Sequence, residues 1–169
     1  ALLGALAVDP SLREGTVAMV TLGTGLGFTY AVDGKVQESQ TGSPAKGLWN
    51  APYMDGILED YVSRRGIIRI YLQQGGTLAE GEDVWEISIR ARAGEKEALS
   101  TFALVGNHLA SGAHQLIADL DIKQIIFGGQ ISRSFDLIEK SLLEGLPDNV
   151  SVGVSPDIEG LVLVGAAAL

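Results

Sequence analysis

Cysteine is absent from the 169 residues, which excludes disulfides and any zinc or iron–sulfur site built on thiolates. Positive charge is scarce. Twelve Lys and Arg stand against 21 Asp and Glu, and the net charge of −9 would repel a phosphate backbone. Nucleic-acid binding through this chain is therefore not expected. Long apolar runs are missing too: nothing approaches the roughly 20 uninterrupted residues of a bilayer span. The first residues also lack the charged-then-apolar form of a secretory signal. The expectation is a soluble, cytoplasmic domain with no membrane partner. What is present, 46% apolar and 20% charged residues, is enough to bury a core, and the length suits about one domain. Ala1–Val8 reads as the last two turns of a helix and Gly160–Leu169 as a helix cut short, with no initiator Met ahead of Ala1. Residues 1–169 are thus expected to be a single piece of a longer protein.

Thr16–Leu22 is a β-branched and apolar run of strand length, followed at once by Gly23-Thr24-Gly25-Leu26-Gly27 and then by a second strand, Phe28–Val32. Asp33-Gly34 between two such runs predicts a type I′ turn and a third strand over Lys35–Ser39. Thr41–Tyr53, with Gly42, Pro44, Gly47 and Pro52, is too rich in breakers for regular structure, and helices resume near Asp55. From Glu95 to Leu120, apolar and small residues recur every three or four positions, which predicts a long amphipathic helix. A glycine inside a helix costs about 1 kcal/mol against alanine, so Gly106 points to close packing against a neighbour. Lys123–Phe127 then reads as a buried strand, Gly128-Gly129 as a turn, Arg133–Leu146 as a helix, and Val150–Val154 as a strand before the last helix. The fold class is α/β.

The glycine loop carries the sharpest chemistry. Three glycines leave backbone N–H groups open to a phosphate, and Thr24 adds a hydroxyl. In a dinucleotide-binding turn the glycines lead from strand into helix, whereas here they lead into another strand, which argues against that site. The pattern taken alone also fits a glycine-rich turn needed only for backbone geometry. Gly128-Gly129, after a buried strand and before a helix, leaves open backbone and a helix start beside a ligand, or makes an ordinary tight turn. Glu59 follows the irregular loop, and its carboxylate could grip two neighbouring hydroxyls of a ligand or lie solvated on a helix face, as most glutamates do.

Three motifs together resemble the ROK family of sugar kinases and sugar-responsive repressors. Leu22–Gly27 looks like the family's second phosphate motif, Leu58-Glu59-Asp60-Tyr61-Val62-Ser63 like its Leu-Glu-x-Tyr-x-Ser helix, and Ile126–Ser132 like its Gly-Gly-x-x-Ser adenosine segment. Gly160–Ala168 resembles the Gly-Ala-Ala helix of the C-terminal lobe. The resemblance implies an actin-like (ribonuclease H-like) lobe whose mixed sheet has three antiparallel strands extended by parallel ones. It implies an ATP-dependent kinase, using Mg²⁺, that transfers the γ-phosphate to a sugar hydroxyl. On this reading Gly23, Thr24, Gly25, Gly27, Gly128 and Gly129 hold nucleotide, and Glu59 holds sugar. A sugar-sensing repressor of the same family is the alternative, and an ATPase without a sugar site is a third.

The chain also departs from the family. ROK proteins usually follow the hairpin with Gly-Glu-x-Gly-His, whose Glu and His contact sugar and whose His helps hold a structural zinc with a Cys-rich loop. Aligned on Asp33-Gly34, that place is taken by Ala45-Lys46-Gly47-Leu48-Trp49, so Lys46 replaces the carboxylate and Trp49 the imidazole. With no cysteine, no zinc is expected. His108 and His114, six residues apart on one helix, point in different directions and read as structural or surface groups. The resemblance places the catalytic Asp just ahead of Ala1 and the first phosphate motif in an N-terminal lobe outside this chain. That lobe, ATP and a sugar are the expected partners, with a homodimer left open.

Overall fold

A computed structural model describes residues 1–155 and 157–167. Its centre is a five-stranded mixed sheet. The hairpin of β1 (Thr16–Leu22) and β2 (Leu26–Val32) is antiparallel, and β2 pairs with β3 (Lys35–Val36) in the same sense. On its other side β1 runs parallel to β6 (Ile122–Gly128), which in turn runs parallel to β7 (Ser151–Val154). A mixed sheet of this kind has both faces to cover, because parallel neighbours are joined by helical crossovers. β1 accordingly buries residues on both sides: Ala18, Val20 and Leu22 join one core cluster, Val17 and Met19 the other.

The first face carries α5 (Lys96–Asp119) and α6 (Phe135–Gly145), with α3 (Arg64–Gln73) and α4 (Val84–Arg92) stacked beyond. The second carries α1 (Leu2–Val8) and α7 (Ile158–Ala167). Gly106 sits where α5 crosses α6, and a Cβ there would stand 2.7 Å from the Ile138 carbonyl oxygen. The expectation of close packing at that glycine therefore holds. α4 opens with a capping box in which Asp83 and Glu86 satisfy each other's backbone N–H groups.

The turn at Asp33 and Gly34 has positive φ at both positions, 47° and 76°, as a type I′ turn requires. The third strand is shorter than its expected Lys35–Ser39. Gln37 still donates to the Tyr30 carbonyl, but past Val36 only an isolated bridge from Glu38 to Pro44 remains, because Gly42 and Pro44 turn the chain off the sheet edge. The segment expected to be irregular ends in a small hairpin, β4 (Pro52–Tyr53) with β5 (Gly56–Ile57), and the first helix of this stretch, α2, spans Glu59–Val62. The helix expected at Arg133–Leu146 opens as a 3₁₀ turn over Gln130–Ser134 and becomes α-helical at Phe135. Ala168 and Leu169, the expected end of the last helix, lie outside the described residues. No helix among the described residues is long and apolar enough to cross a membrane.

Candidate functional site

Register brings the two glycine motifs together. Thr21 of β1 is paired with Gly128 of β6, so both strands end side by side and release their loops at the same edge. Open α/β sheets place ligands at such carboxyl ends of parallel strands. Thr21, Leu22, Gly23, Thr24, Gly25, Leu26, Gly27, Gly129 and Glu59 line one shallow hollow of about 370 Å³ there. Gly128, the last residue of β6, is buried under this edge and holds the Ser132 hydroxyl through its carbonyl at 2.5 Å.

Each glycine has a different reason. Gly129 adopts φ 91° and ψ 173°, a region essentially closed to residues with a Cβ, and a Cβ would overlap the Leu22 carbonyl oxygen. A Cβ on Gly27 would overlap the Thr21 hydroxyl, and one on Gly25 would stand 2.7 Å from Glu59 Oε2. Gly23 faces open space. Within the loop the Gly23 N–H donates to the Gly25 carbonyl at 3.1 Å. The N–H groups of Thr24 and Gly25 have no acceptor among the described residues, which leaves two adjacent unpaired donors on an exposed and a half-buried residue.

Glu59 is carried to this loop from the far side. Leu58 is fully buried and packs where Gly112 leaves room on α5, anchoring the start of α2. The Glu59 carboxylate then reaches across: Oε2 accepts the Leu26 N–H at 2.9 Å, and Oε1 accepts from Arg65 Nη2 at 3.0 Å. A backbone bond from the Arg64 N–H to the Gly23 carbonyl, 2.9 Å, ties the start of α3 to the same loop. The carboxylate expected to hold sugar is thus also a structural partner of the glycine loop. Sequence reasoning did not find Arg65 or the Leu26 amide. Antiparallel alternation carries the second signal, since the N–H of a residue one place from a bonded pair points out of the ladder.

Lys46 and Trp49 are both exposed, Trp49 by 50%. The Trp49 carbonyl accepts the Glu59 N–H at 3.3 Å, so Trp49 adjoins the backbone of Glu59. His108 and His114 part company: His114 is exposed, while His108 is half-buried in an aromatic cluster with Tyr53 and Tyr61. Its Nδ1 lies 3.0 Å from the Tyr53 hydroxyl. Burial, and secondarily the positive charge of Arg69, holds the His108 imidazole below its usual pKa. Asp55 accepts from the Tyr61 hydroxyl, and the Arg69 guanidinium stacks 4.7 Å over the Tyr61 ring. No three His, Asp or Glu side chains gather into a metal site among the described residues.

A family model for ROK proteins matches residues 4–155. The chain belongs to the ROK family. A structure assigned as a sugar kinase from Cytophaga hutchinsonii superimposes with a TM-score of 0.81 at 25% identity, over 98% of this ROK chain and 61% of its own. A ROK glucokinase from Streptomyces griseus, solved with glucose and AMPPNP, gives 0.80 at 23% identity, over 98% and 64%. A ROK transcriptional regulator, a homologue of the E. coli MLC protein, gives 0.77 at 19%, over 98% and 48%. No curated protein sequence matches the chain. The chain spans less than two thirds of the length of each of these structures, and the actin-like α/β fold with its mixed sheet is theirs as well as its own.

Proposed function

We propose that this chain is the C-terminal lobe of an ATP-dependent ROK sugar kinase, and that the hollow at the ends of β1 and β6 is its share of the active site. One observation carries the reading: the glycine loop, Gly129 and Glu59, far apart in sequence, line a single depression. The paired open N–H groups of Thr24 and Gly25 would receive phosphate oxygens, the Thr24 hydroxyl would add a donor, and Gly23, Gly25 and Gly27 would let the backbone approach. Gly129 would face the adenosine side, with Gly128 buried beneath it and holding the Ser132 hydroxyl. Glu59 has lone pairs beyond those used by Leu26 and Arg65, and these would accept sugar hydroxyls.

ATP with Mg²⁺ supplies the γ-phosphoryl group, and catalysis of its transfer is mostly positioning and electrostatics. The chain's residues hold the phosphates and orient the sugar, while the base that takes the hydroxyl proton would lie ahead of Ala1. The test is ATP-dependent phosphorylation of common hexoses and amino sugars by the complete protein, with chain 1–169 alone as control. Turnover by the complete protein only is expected, since losing a positioned base costs about 10²–10⁴ in rate. Comparable turnover by the chain alone would place the base within it and overturn the lobe assignment.

A second reading, a sugar-responsive repressor, is favoured by Lys46 and Trp49, both exposed, which stand in the sequence where the family usually has its sugar-binding Glu and His. Sugar binding without phosphorylation by the complete protein would decide for it.

A further inference from the structure

Resting on the reading of Glu59 as a sugar ligand, we propose that Arg65 is a positioning residue that acts through the Glu59 carboxylate on the sugar and nucleotide halves of the site together. Glu59 is held from two sides, by the Leu26 N–H on Oε2 at 2.9 Å and by Arg65 Nη2 on Oε1 at 3.0 Å. A carboxylate fastened at one oxygen can turn about its last torsion; fastened at both, its remaining lone pairs keep one direction. The same Arg65 nitrogen lies 2.7 Å from Asp60 Oδ1, and Asp60 Oδ2 accepts the Ile57 N–H of β5 at 3.2 Å. One guanidinium therefore links the β4–β5 hairpin, the start of α2 and the glycine loop.

Neighbouring cations do not share this task. Arg64 pairs with Asp83 at 2.7 Å, and Arg69 donates to the Asp60 carbonyl at 3.0 Å and stacks on Tyr61. Room for the arrangement comes from Gly25, whose missing Cβ would stand 2.7 Å from Glu59 Oε2. Loss of Arg65 frees Oε1, lets the carboxylate turn, and takes the acceptor from Leu26 at the base of the two open amides. Sugar and nucleotide binding then weaken together. Arg65 is 58% exposed, so its removal costs the fold little and the effect is one of placement.

The experiment compares the complete protein with its Arg65→Met, Arg65→Lys and Glu59→Gln variants. Phosphorylation kinetics are measured over hexoses and amino sugars, with calorimetric binding of AMPPNP and of the sugars. Arg65→Met, which keeps length but loses charge and donors, is expected to raise the KM for sugar and for ATP each by about 3–30-fold. Its melting temperature should stay within about 4 °C of wild type. Arg65→Lys should recover most of both constants. An Arg65→Met protein with either constant within twofold of wild type overturns the inference alone. Unchanged sugar affinity in Glu59→Gln, or a complete protein that binds neither AMPPNP nor any sugar, overturns the functional reading beneath it and the inference with it.

Discussion

Replacing Gly129 with alanine while replacing Gly23 likewise gives a matched pair that separates backbone requirement from ligand requirement. The two glycines flank the same hollow. At Gly129 the added methyl group meets a φ of 91° and overlaps the Leu22 carbonyl oxygen, whereas at Gly23 it meets nothing within 4 Å. Holding a residue with a Cβ in that region costs about 1–3 kcal/mol, and forcing an extra carbon against packed backbone adds about 1–3 kcal/mol. Gly129→Ala should therefore destabilise by about 2–6 kcal/mol, a large part of the about 5–15 kcal/mol that holds a domain folded. Gly23→Ala should cost less than about 1 kcal/mol. Urea unfolding of the two variants, followed by circular dichroism, reads the difference directly. Equal midpoints would show that the Gly129 geometry does not constrain the fold, and the contact between the β6 turn and β1 would lose its physical basis.

The Gly25→Val variant should weaken ATP binding by the complete protein about tenfold or more while folding survives better, because a branched side chain displaces Glu59 from Leu26 and crowds the open amides; unchanged affinity by calorimetry would remove the loop from the site. At the α5–α6 crossing, Gly106→Leu should cost about 1–3 kcal/mol or more despite its better helix propensity, since Ile138 and Leu142 backbone atoms lie under 3 Å from the added Cβ; a raised melting temperature would contradict it. For His108, whose pKa is lowered in the fold, the unfolded chain binds the proton first as pH falls through about 6.5, so stability is full above that value and declines below it, by at most about 1.4 kcal/mol per pH unit. His108→Gln should flatten the fall in melting temperature between pH 7.5 and 5, and an unchanged slope would refute the assignment. Asp83→Ala removes the capping box of α4 and its pair with Arg64, with an expected loss of about 0.5–2 kcal/mol by thermal melting.

The fold was legible wherever local chemistry and burial agree. Asp33-Gly34 could form only a tight turn between two strand-like runs, and it does, with both φ values positive. The interior of α5 repeats apolar residues at helical spacing, and Gly106 announced its own crossing with α6. Legibility fails where the deciding partner is distant. β3 stops at Val36 because the chain beyond it is drawn off by the Glu38–Pro44 bridge and by Gly42, not because its residues resist a strand. The β4–β5 hairpin is held by Asp60 and by a Tyr53–His108 bond across 55 positions, and neither leaves a periodic trace in the segment itself.

The site divides along the same line. Glycines could be picked out because a missing side chain is visible in sequence, yet the sequence cannot say which absence serves backbone and which serves ligand. Three of them turn out to have protein neighbours that demand it: Gly129 against Leu22, Gly27 against Thr21, and Gly25 against Glu59. Gly23 alone among those lining the hollow faces open space, so it is the position where absence of a side chain leaves room for something outside the chain. Glu59 was found for its chemistry but not for its tether. The parity of the ladder decides that tether: pairing Gly23 with Gly25 across the turn sends the next N–H, that of Leu26, out of the sheet toward α2. An outward, partly buried N–H needs an acceptor, and the carboxylate that meets it is the one proposed above to hold a sugar. One side chain thereby joins the two halves of the hollow, which is why a change at Arg65, outside it, should be felt in both.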